Sequence, residues 1–234
     1  MSTPQFGRAR SAEAKRARED AILAAASRLA LEHGVREVTV TAIADEVGMH
    51  KSAMLRYFET REEIFLRLAA GGWRDWAAEV RDRLGALPAC ADAAAPQWPH
   101  AARSIAGVLA QSLTARPLFC DLLAHTPLNL ERNVSHDAVR TFKLRAIAEV
   151  AETGAAIAAV TPLAAGQARS VVTTATAMAG ALWQMAAPGT GLRAFYETDP
   201  ELAHSVVEVE PRLTDILTAL LTGYAAQPHS GGDA

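Results

Sequence analysis

The chain is poor in the features that mark secreted, membrane-spanning and disulfide-rich proteins. Its 234 residues include only two cysteines, Cys90 and Cys120, which are too few for a disulfide framework. No window holds about 18 uninterrupted apolar residues, so the sequence predicts no membrane partner. The N-terminal residues lack the apolar segment of a secretory signal. We therefore expect a cytoplasmic protein with reduced thiols.

Motifs for metal, cofactor or nucleophilic chemistry are also missing. No two of the seven histidines stand four residues apart, and Cys120 and His125 are separated by five. A GxSxG nucleophile motif is absent. Residues 189–194 match a loose dinucleotide fingerprint, but they follow a helical segment and lead into residues 194–200, which we expect to be a loop. The sequence predicts no metal, no cofactor and no enzymatic activity.

What the chain does contain is helical periodicity, with no sustained strand alternation after residue 85. The most informative segment is 34–64, GVREVTVTAIADEVGMHKSAMLRYFETREEI. The spacing of Val40, Ile43 and Ala44 predicts a short helix over 39–47. Gly48 then suits the left-handed position after a helix, and a second short helix is predicted over 51–57. Together they form a helix-turn-helix.

Helices are predicted on both sides of this motif. The first runs from about residue 14 to 33 and is ended by Gly34. Thr60 and Glu63 form a capping box that starts a helix reaching about residue 84. Prolines and small residues over 85–99 predict a loop, and further helices are expected near 100–115, 117–125, 135–159, 163–187 and 211–226.

The segment resembles the DNA-binding region of the TetR family of bacterial transcriptional regulators. The resemblance covers about residues 15–66. The matching residues are Gly34, Thr39, Val40, Ile43, Ala44, Gly48, Lys51, Arg56, Tyr57, Phe58, Glu62, Glu63 and Ile64. The chain departs from the family pattern where His50 replaces a common Ser, Ala53 a Thr, Leu55 a Tyr and Arg61 a Lys.

The helical periodicity predicts an all-α protein, and composition together with the resemblance divides it into four segments. They are a flexible basic tail over 1–12, a three-helix DNA-binding domain over 13–60 with its motif at about 39–58, a helical regulatory and dimerisation domain over 61–226, and a disordered tail over 227–234. The first 18 residues carry five basic side chains against one acidic one, which favours phosphate contacts, although a solvated tail would have the same composition. Candidate contacts to double-stranded operator DNA are Thr39, Thr41, His50, Lys51, Ser52, Ala53, Arg56, Tyr57 and Arg61.

Two apolar stripes in the C-terminal half have two interpretations. Val171, Ala175, Met178, Leu182 and Met185 follow a heptad-like spacing, and residues 213–224 form a second stripe. Periodicity alone favours packing inside one chain. The family resemblance favours an intermolecular four-helix bundle, so we expect a homodimer formed through 163–187 and 209–226.

The large apolar side chains of the C-terminal half likewise either fill a core or line a ligand cavity. The resemblance implies a cavity for a small hydrophobic effector. Its candidate residues are Trp73, Trp76, Gln111, Phe119, His125, Asn129, Phe142, Met178 and Trp183.

The resemblance thus predicts a homodimeric repressor that a small hydrophobic ligand releases from a pseudo-palindromic operator. The alternative is a helical small-molecule-binding protein or enzyme whose helix-turn-helix no longer reads DNA. The replaced residues at His50, Ala53 and Leu55 favour the alternative, whereas the basic Lys51, Arg56 and Arg61 oppose it.

Overall fold

The computed structural model describes residues 5–227, with side chains for residues 13–203 and 205–227. Residues 1–4 and 228–234 of the two predicted tails lie outside this range. The described residues form ten α-helices and no strand, as the all-α prediction requires. The helices are α1 Gln5–His33, α2 Val40–Glu46, α3 Lys51–Met54, α4 Arg61–Gly85, α5 Trp98–Thr114, α6 Pro117–His125, α7 His136–Val160, α8 Ala165–Ala186, α9 Gly191–Thr198 and α10 Val209–Ala225.

We call residues 13–60 the head and residues 61–226 the body. In the head, Ile22, Ala25 and Ala26 of α1 pack against Ile43 and other buried residues of the helix-turn-helix. Gly34 ends α1 at φ +85° and Gly48 ends α2 at φ +64°, which glycine adopts without a Cβ clash. Both glycine predictions are confirmed.

Helix α4 connects the head to the body without a break over 25 residues. Its first turn is capped as predicted, because the Thr60 hydroxyl accepts a hydrogen bond from the Glu63 N–H at 3.1 Å. The Glu63 carboxylate accepts from the N–H of Glu59 at 2.8 Å, one residue before the position that a standard capping box predicts. A firmly capped helix of this length is a rigid link between the two parts.

The body packs its helices around a core that is centred on α4, α5 and α8. Helix α4 lies against α5, α6 and α7, and α8 lies against α6, α7 and α10. Among the described residues no single helix is long and apolar enough to cross a membrane. Helices α7 and α8 reach that length and apolarity only as a pair, which bends by 119°.

The heptad-like stripe of α8 belongs largely to this core. Val171 and Ala175 are fully buried and Leu182 is 4% exposed, whereas Met185 is 59% exposed. On α10, Leu213, Leu217 and Leu221 are buried in the same way. Most of the residues expected at a dimer interface therefore pack inside one chain, and of the α8 stripe only Met185 is exposed.

Three local predictions are corrected. Helix α1 begins at Gln5 rather than near residue 14, so residues 5–12 are helical. Helix α3 ends at Met54, and the residues up to Tyr57 form a turn with hydrogen bonds three residues apart. Helix α9 occupies the expected loop, because Thr190 caps it and Arg193 pairs with Glu197 at 2.6 Å.

A π-helical turn, Thr126–Leu130, follows α6. Pro127 has no N–H to continue the α-helical ladder, and the Thr126 hydroxyl donates to the Leu122 carbonyl at 2.7 Å. The sequence contains the proline, but no periodicity predicts the wider turn.

Candidate nucleic-acid interface and body cavities

Helix α3 is held to the head by one side and leaves the other side open to solvent. Met54 and Phe58 are 1% and 2% exposed and anchor the segment in the core of the head. His50, Lys51 and Ser52 are exposed at its start, and Arg56 is exposed after its end. This arrangement brings four of the nine predicted DNA contacts together on one open surface, which we call the recognition surface.

His50 takes over the capping role for which Ser is common in the resembling family. Its Nδ1 accepts a hydrogen bond from the Ser52 N–H at 3.4 Å and lies 2.8 Å from the Ser52 hydroxyl oxygen. One ring nitrogen is thus engaged in fixing the start of α3. His50 in place of Ser favoured the alternative in which the head does not read DNA. In the structure this replacement still leaves α3 with a capped start.

Thr39 and Thr41 lie at the start of α2. The Thr39 hydroxyl accepts from the Ala42 N–H at 3.1 Å and caps this helix. Thr41, in its first turn, is exposed. A helix N-terminus carries free N–H groups and partial positive charge, which suit a backbone phosphate.

The remaining predicted contacts are less accessible, and one exposed residue was missed. Ala53 and Tyr57 are half-buried. Leu55, by contrast, is 48% exposed beside Arg56. Exposure of a leucine cannot be read from helical spacing in so short a helix, but an apolar side chain here suits a thymine methyl group.

Arg61 is directed away from the recognition surface. Its Nε donates to the Val38 carbonyl at 2.5 Å, and one of its terminal nitrogens donates to the Val35 carbonyl. The guanidinium also lies 4.7 Å from the centre of the Phe65 ring, and the side chain is only 16% exposed. Arg61 therefore joins α4 to the loop between α1 and α2, and the structure does not place it for DNA contact.

Three of the five aromatic residues expected to line a ligand cavity pack against one another instead. The ring centres of Trp73 and Trp76 are 5.6 Å apart, and those of Trp73 and Phe119 are 5.8 Å apart, both in edge-to-face geometry. The indole N–H of Trp76 donates to the Ser112 hydroxyl at 2.9 Å. This cluster fills the contact between α4 and α6.

The other predicted ligand residues are spread over the body. Gln111 is exposed and accepts from Arg83 at 2.8 Å. Met178 packs half-buried against the core, and Trp183 lies half-buried near the end of α8. Phe142 is 5% exposed near the start of α7. The structure does not gather the nine candidates around one cavity.

His125 precedes the π-helical turn, Asn129 lies within it, and both carry buried polar atoms. Within the described part of the chain, His125 Nδ1 and Asn129 Oδ1 are buried and have no hydrogen-bond partner. The other ring nitrogen of His125 lies 3.4 Å from the Asp121 carboxylate. These are the predicted polar candidates with unsatisfied hydrogen-bonding capacity.

The body has a cavity of about 370 Å³ between α4 and α7, next to the head. Leu66, Ala70 and Phe142 contribute apolar walls, and Arg67 and Arg145 contribute positive charge. Its remaining lining residues are Glu59, Glu63, Ser135, Asp137, Ala138 and Thr141. The volume lies within the usual range for small-molecule sites.

A second crevice, of about 350 Å³, separates the end of α1 from α6 and the end of α8. The head contributes residues 30–34, and the body contributes Leu118, Asp121, Trp183 and Gln184 among others. Among the residues with described side chains, no three metal-binding groups come together.

Two protein-family models match the chain and together span most of it. The model of bacterial regulatory proteins of the tetR family matches residues 22–68. The model of the tetracyclin repressor-like C-terminal domain matches residues 71–228. No curated protein sequence matches the chain.

Solved structures with the same fold include three from two bacteria. The fatty acid degradation regulator FadR of Bacillus halodurans is 15% identical, with a TM-score of 0.52 and coverage of 90% of this chain and 97% of that one. FadR of Thermus thermophilus, solved in complex with lauroyl-CoA, is 15% identical, with a TM-score of 0.51 and coverage of 92% and 100%. PfmR, also of Thermus thermophilus, is 16% identical, with a TM-score of 0.50 and coverage of 86% and 96%. At these identities the likeness concerns the fold.

Proposed function

Because the chain belongs to the TetR family of bacterial transcriptional regulators, we propose that it is a homodimeric repressor released from a pseudo-palindromic operator by a small, mostly hydrophobic molecule. The observation that carries the proposal is the recognition surface, where exposed basic residues stand on a buried scaffold. A rigid α4 then connects this surface to a helical body with cavities.

In this proposal α3 enters the major groove of DNA. Lys51 and Arg56 contact phosphates or guanine edges, and Leu55 contacts thymine methyl groups. Thr41 and the start of α2 contact the adjacent phosphate backbone. Half-buried Ala53 and Tyr57 support the surface, whereas Arg61 holds the head together.

The proposed dimer places two heads in successive major grooves, about 34–36 Å apart. Its interface uses the exposed face of α8, where Thr173, Ala177, Ala181 and Met185 follow one another every four residues. Ala219 lies exposed on α10. Small residues on these faces allow two copies to approach closely.

The effector is proposed to bind between α4 and α7. Leu66 and Phe142 favour a hydrophobic body, and the arginines and carboxylates that share the lining favour a polar end. Its occupancy would displace α4 near Thr60, where this helix leaves the head. Ligand and DNA must then weaken each other's binding by the same factor.

DNA binding is tested with duplexes selected by the wild-type protein from a random library. Lys51→Ala and Arg56→Ala are each expected to weaken binding by about 1–3 kcal/mol, because each removes a positively charged contact. Arg212→Ala, which removes an exposed positive charge from the body, serves as the control and should leave affinity unchanged. Enrichment of no sequence, or unchanged affinity in both head variants, would favour a helical binding protein that does not read DNA.

The effector step is tested in the same assay with laurate, a hydrophobic chain with one polar end, as the first probe. Quenching of tryptophan fluorescence reports binding, and a gel-shift titration reports DNA affinity. Binding with a parallel loss of DNA affinity supports a hydrophobic effector. Tight binding that leaves DNA affinity unchanged contradicts the proposed switch.

A further inference from the structure

Asp121 of α6 contacts three parts of the molecule that are distant in sequence. Its Oδ2 accepts a hydrogen bond from the Val35 N–H of the head at 2.7 Å. Its Oδ1 accepts from the Gln184 side chain of α8 at 2.7 Å and lies 3.4 Å from His125 Nε2 beside the π-helical turn. The side chain is 12% exposed, so the carboxylate itself is largely shielded from solvent.

The contact with the head lies where α1 ends. Gly34 turns the chain at φ +85°, and the N–H of the buried Val35 then has no acceptor within α1. The Asp121 carboxylate, 86 residues further along the chain, supplies that acceptor. An acidic group near a helix C-terminus is opposed by the helix dipole. Helix stabilisation therefore does not explain this position, whereas the hydrogen bond does.

The same carboxylate is charged in spite of its burial. Burial by itself raises the pKa of Asp121, but hydrogen bonds from His125, Val35 and Gln184 outweigh that effect, so its pKa lies below the usual value. At neutral pH both oxygens act only as acceptors. They can hold donors from the head and the body at the same time.

The network continues from Val35 to α4. The Val35 carbonyl accepts from Arg61, which also donates to the Val38 carbonyl. The loop between α1 and α2 is thus tied on one side to α6 through Asp121 and on the other side to the first residue of α4.

We propose that Asp121 is the positioning residue that fixes the orientation of the head on the body. This inference rests on the proposed function, because a fixed orientation matters when two heads must reach two half-sites. The crevice of about 350 Å³ between α1, α6 and α8 is the gap that Asp121 bridges. Loss of its hydrogen bonds frees the head to tilt across this gap.

The orientation is measured within one chain by pulsed electron spin resonance. Spin labels are attached at Asp45→Cys in α2 and Arg103→Cys in α5, both exposed positions. Cys90 and Cys120 are buried and remain unlabelled in the folded protein. Excess unlabelled protein removes distances between subunits, so the result does not depend on dimerisation.

We expect one narrow head–body distance in the wild-type protein and a broadened distribution in Asp121→Ala. Asp121→Asn should keep the distance distribution nearly as narrow as in the wild type. The Asn carbonyl can accept from the Val35 N–H, and the Asn amide can donate to the Gln184 side chain after that side chain rotates. Gln184→Ala, which leaves the Val35 contact in place, should broaden the distribution less. An unchanged distribution in Asp121→Ala and Gln184→Ala overturns the proposal.

The matched control is Glu149→Ala. Glu149 is 19% exposed and pairs with Arg81 at 2.8 Å, so its loss removes a comparable partly buried carboxylate contact between α4 and α7. This contact lies within the body, and the head–body distance should stay as in the wild type. Circular dichroism verifies that each variant keeps its helices. If Asp121→Ala loses its helical content, the proposal is tested by whether the head–body distance distribution broadens in Gln184→Ala.

DNA affinity distinguishes a residue that positions the head from one that only stabilises the fold. On a duplex with two half-sites, Asp121→Ala should bind roughly tenfold more weakly, because a hydrogen bond to a charged group contributes free energy of that order. On a single half-site its affinity should equal that of the wild type. Equal losses on both duplexes would indicate a damaged head and overturn the positioning role. If the wild type itself gains nothing from the second half-site, the proposed dimer fails while the distance measurement still tests Asp121.

Discussion

Cys120 shows at the residue scale how closely the contact between α5 and α6 is packed. Its side chain is fully buried, and its Sγ lies 3.2 Å from the Leu113 carbonyl of α5. Burial, with a smaller contribution from the charge of Asp121, raises the pKa of this thiol to about 12. The folded protein therefore keeps Cys120 as a neutral thiol over the physiological range.

This raised pKa gives the stability a defined dependence on alkaline pH. The folded state favours the protonated thiol. The contribution of this thiol to the free energy of unfolding is therefore complete below its ordinary pKa of 9.0, and it is lost as pH rises towards about 12. We expect the difference in unfolding free energy between wild type and Cys120→Ala to narrow over this interval, as measured by urea titration. If the difference between wild type and Cys120→Ala stays constant from about pH 8 to about pH 11, the pKa of Cys120 is not raised in the folded state.

At this scale, local caps were predictable and long-range contacts were not. Thr60, Gly34 and Gly48 act through backbone groups within a few residues, and their roles follow from sequence spacing. Arg61 looked like a DNA contact because its charge is visible in the sequence while its acceptors, 23 and 26 residues away, are not. Asp121 gave no sequence signal, since nothing local marks a carboxylate that accepts a hydrogen bond from a residue 86 positions earlier in the chain.

At the scale of elements, α6 and α8 approach each other where Gly180 has no side chain. A Cβ at this position would lie 2.8 Å from the backbone nitrogen of Ala124. The close contact holds α8 against the end of α6, beside Asp121 and His125. Backbone atoms cannot move aside as a flexible side chain can.

Alanine at Gly180 therefore tests whether close packing outweighs the gain in helix propensity in the free energy of unfolding. Gly180→Ala should lower the free energy of unfolding by about 1–3 kcal/mol, since it forces two backbones apart. Gly107→Ala is the control, because a Cβ on this residue of α5 meets nothing within 4 Å. It should raise the free energy of unfolding by about 0.5–1 kcal/mol through helix propensity. Denaturant titration of both variants measures the two changes in the free energy of unfolding. If both changes have the same sign, the packing argument is wrong.

The long helices of the body were predicted within a few residues, because prolines and apolar periodicity mark their ends and faces. Helix α9 was missed because its stability comes from Arg193, which bonds to Glu197, to Glu208 and to the Val207 carbonyl. None of its residues is buried, so its stability does not come from a packed apolar face. The cavity between α4 and α7 was missed for a related reason, since it depends on how distant helices meet.

At the scale of the whole molecule, the choice between core and dimer interface was ambiguous in the sequence. An apolar stripe can face its own chain or a second copy, and periodicity is the same in both cases. The structure directs Val171, Ala175 and Leu182 inward and leaves small residues of α8 outside. Charges at half-buried Met178 or Leu220 would thus disturb the core as well as an interface.

Ala181→Glu is the sharper test of dimerisation, because Ala181 is exposed in the centre of the proposed interface. A charge buried against a second copy without a partner is strongly unfavourable. We expect this variant to sediment as a monomer with unchanged helical content, while the wild type sediments as a dimer at micromolar concentration. Ala148→Glu, on the exposed face of α7, is the control and should remain dimeric. A dimeric Ala181→Glu would place the interface elsewhere.

The hydrogen bond between Val35 and Asp121 also has a consequence for the time course of biosynthesis. The two residues are separated by 86 positions, so the head leaves the ribosome well before the Asp121 acceptor has been synthesised. At ordinary translation speeds this interval lasts roughly 4–17 s. During it the helix-turn-helix is complete in sequence but has no link to α6. A nascent chain thus acquires its oriented head only after α6 has emerged, which delays its action on DNA until the body has begun to fold.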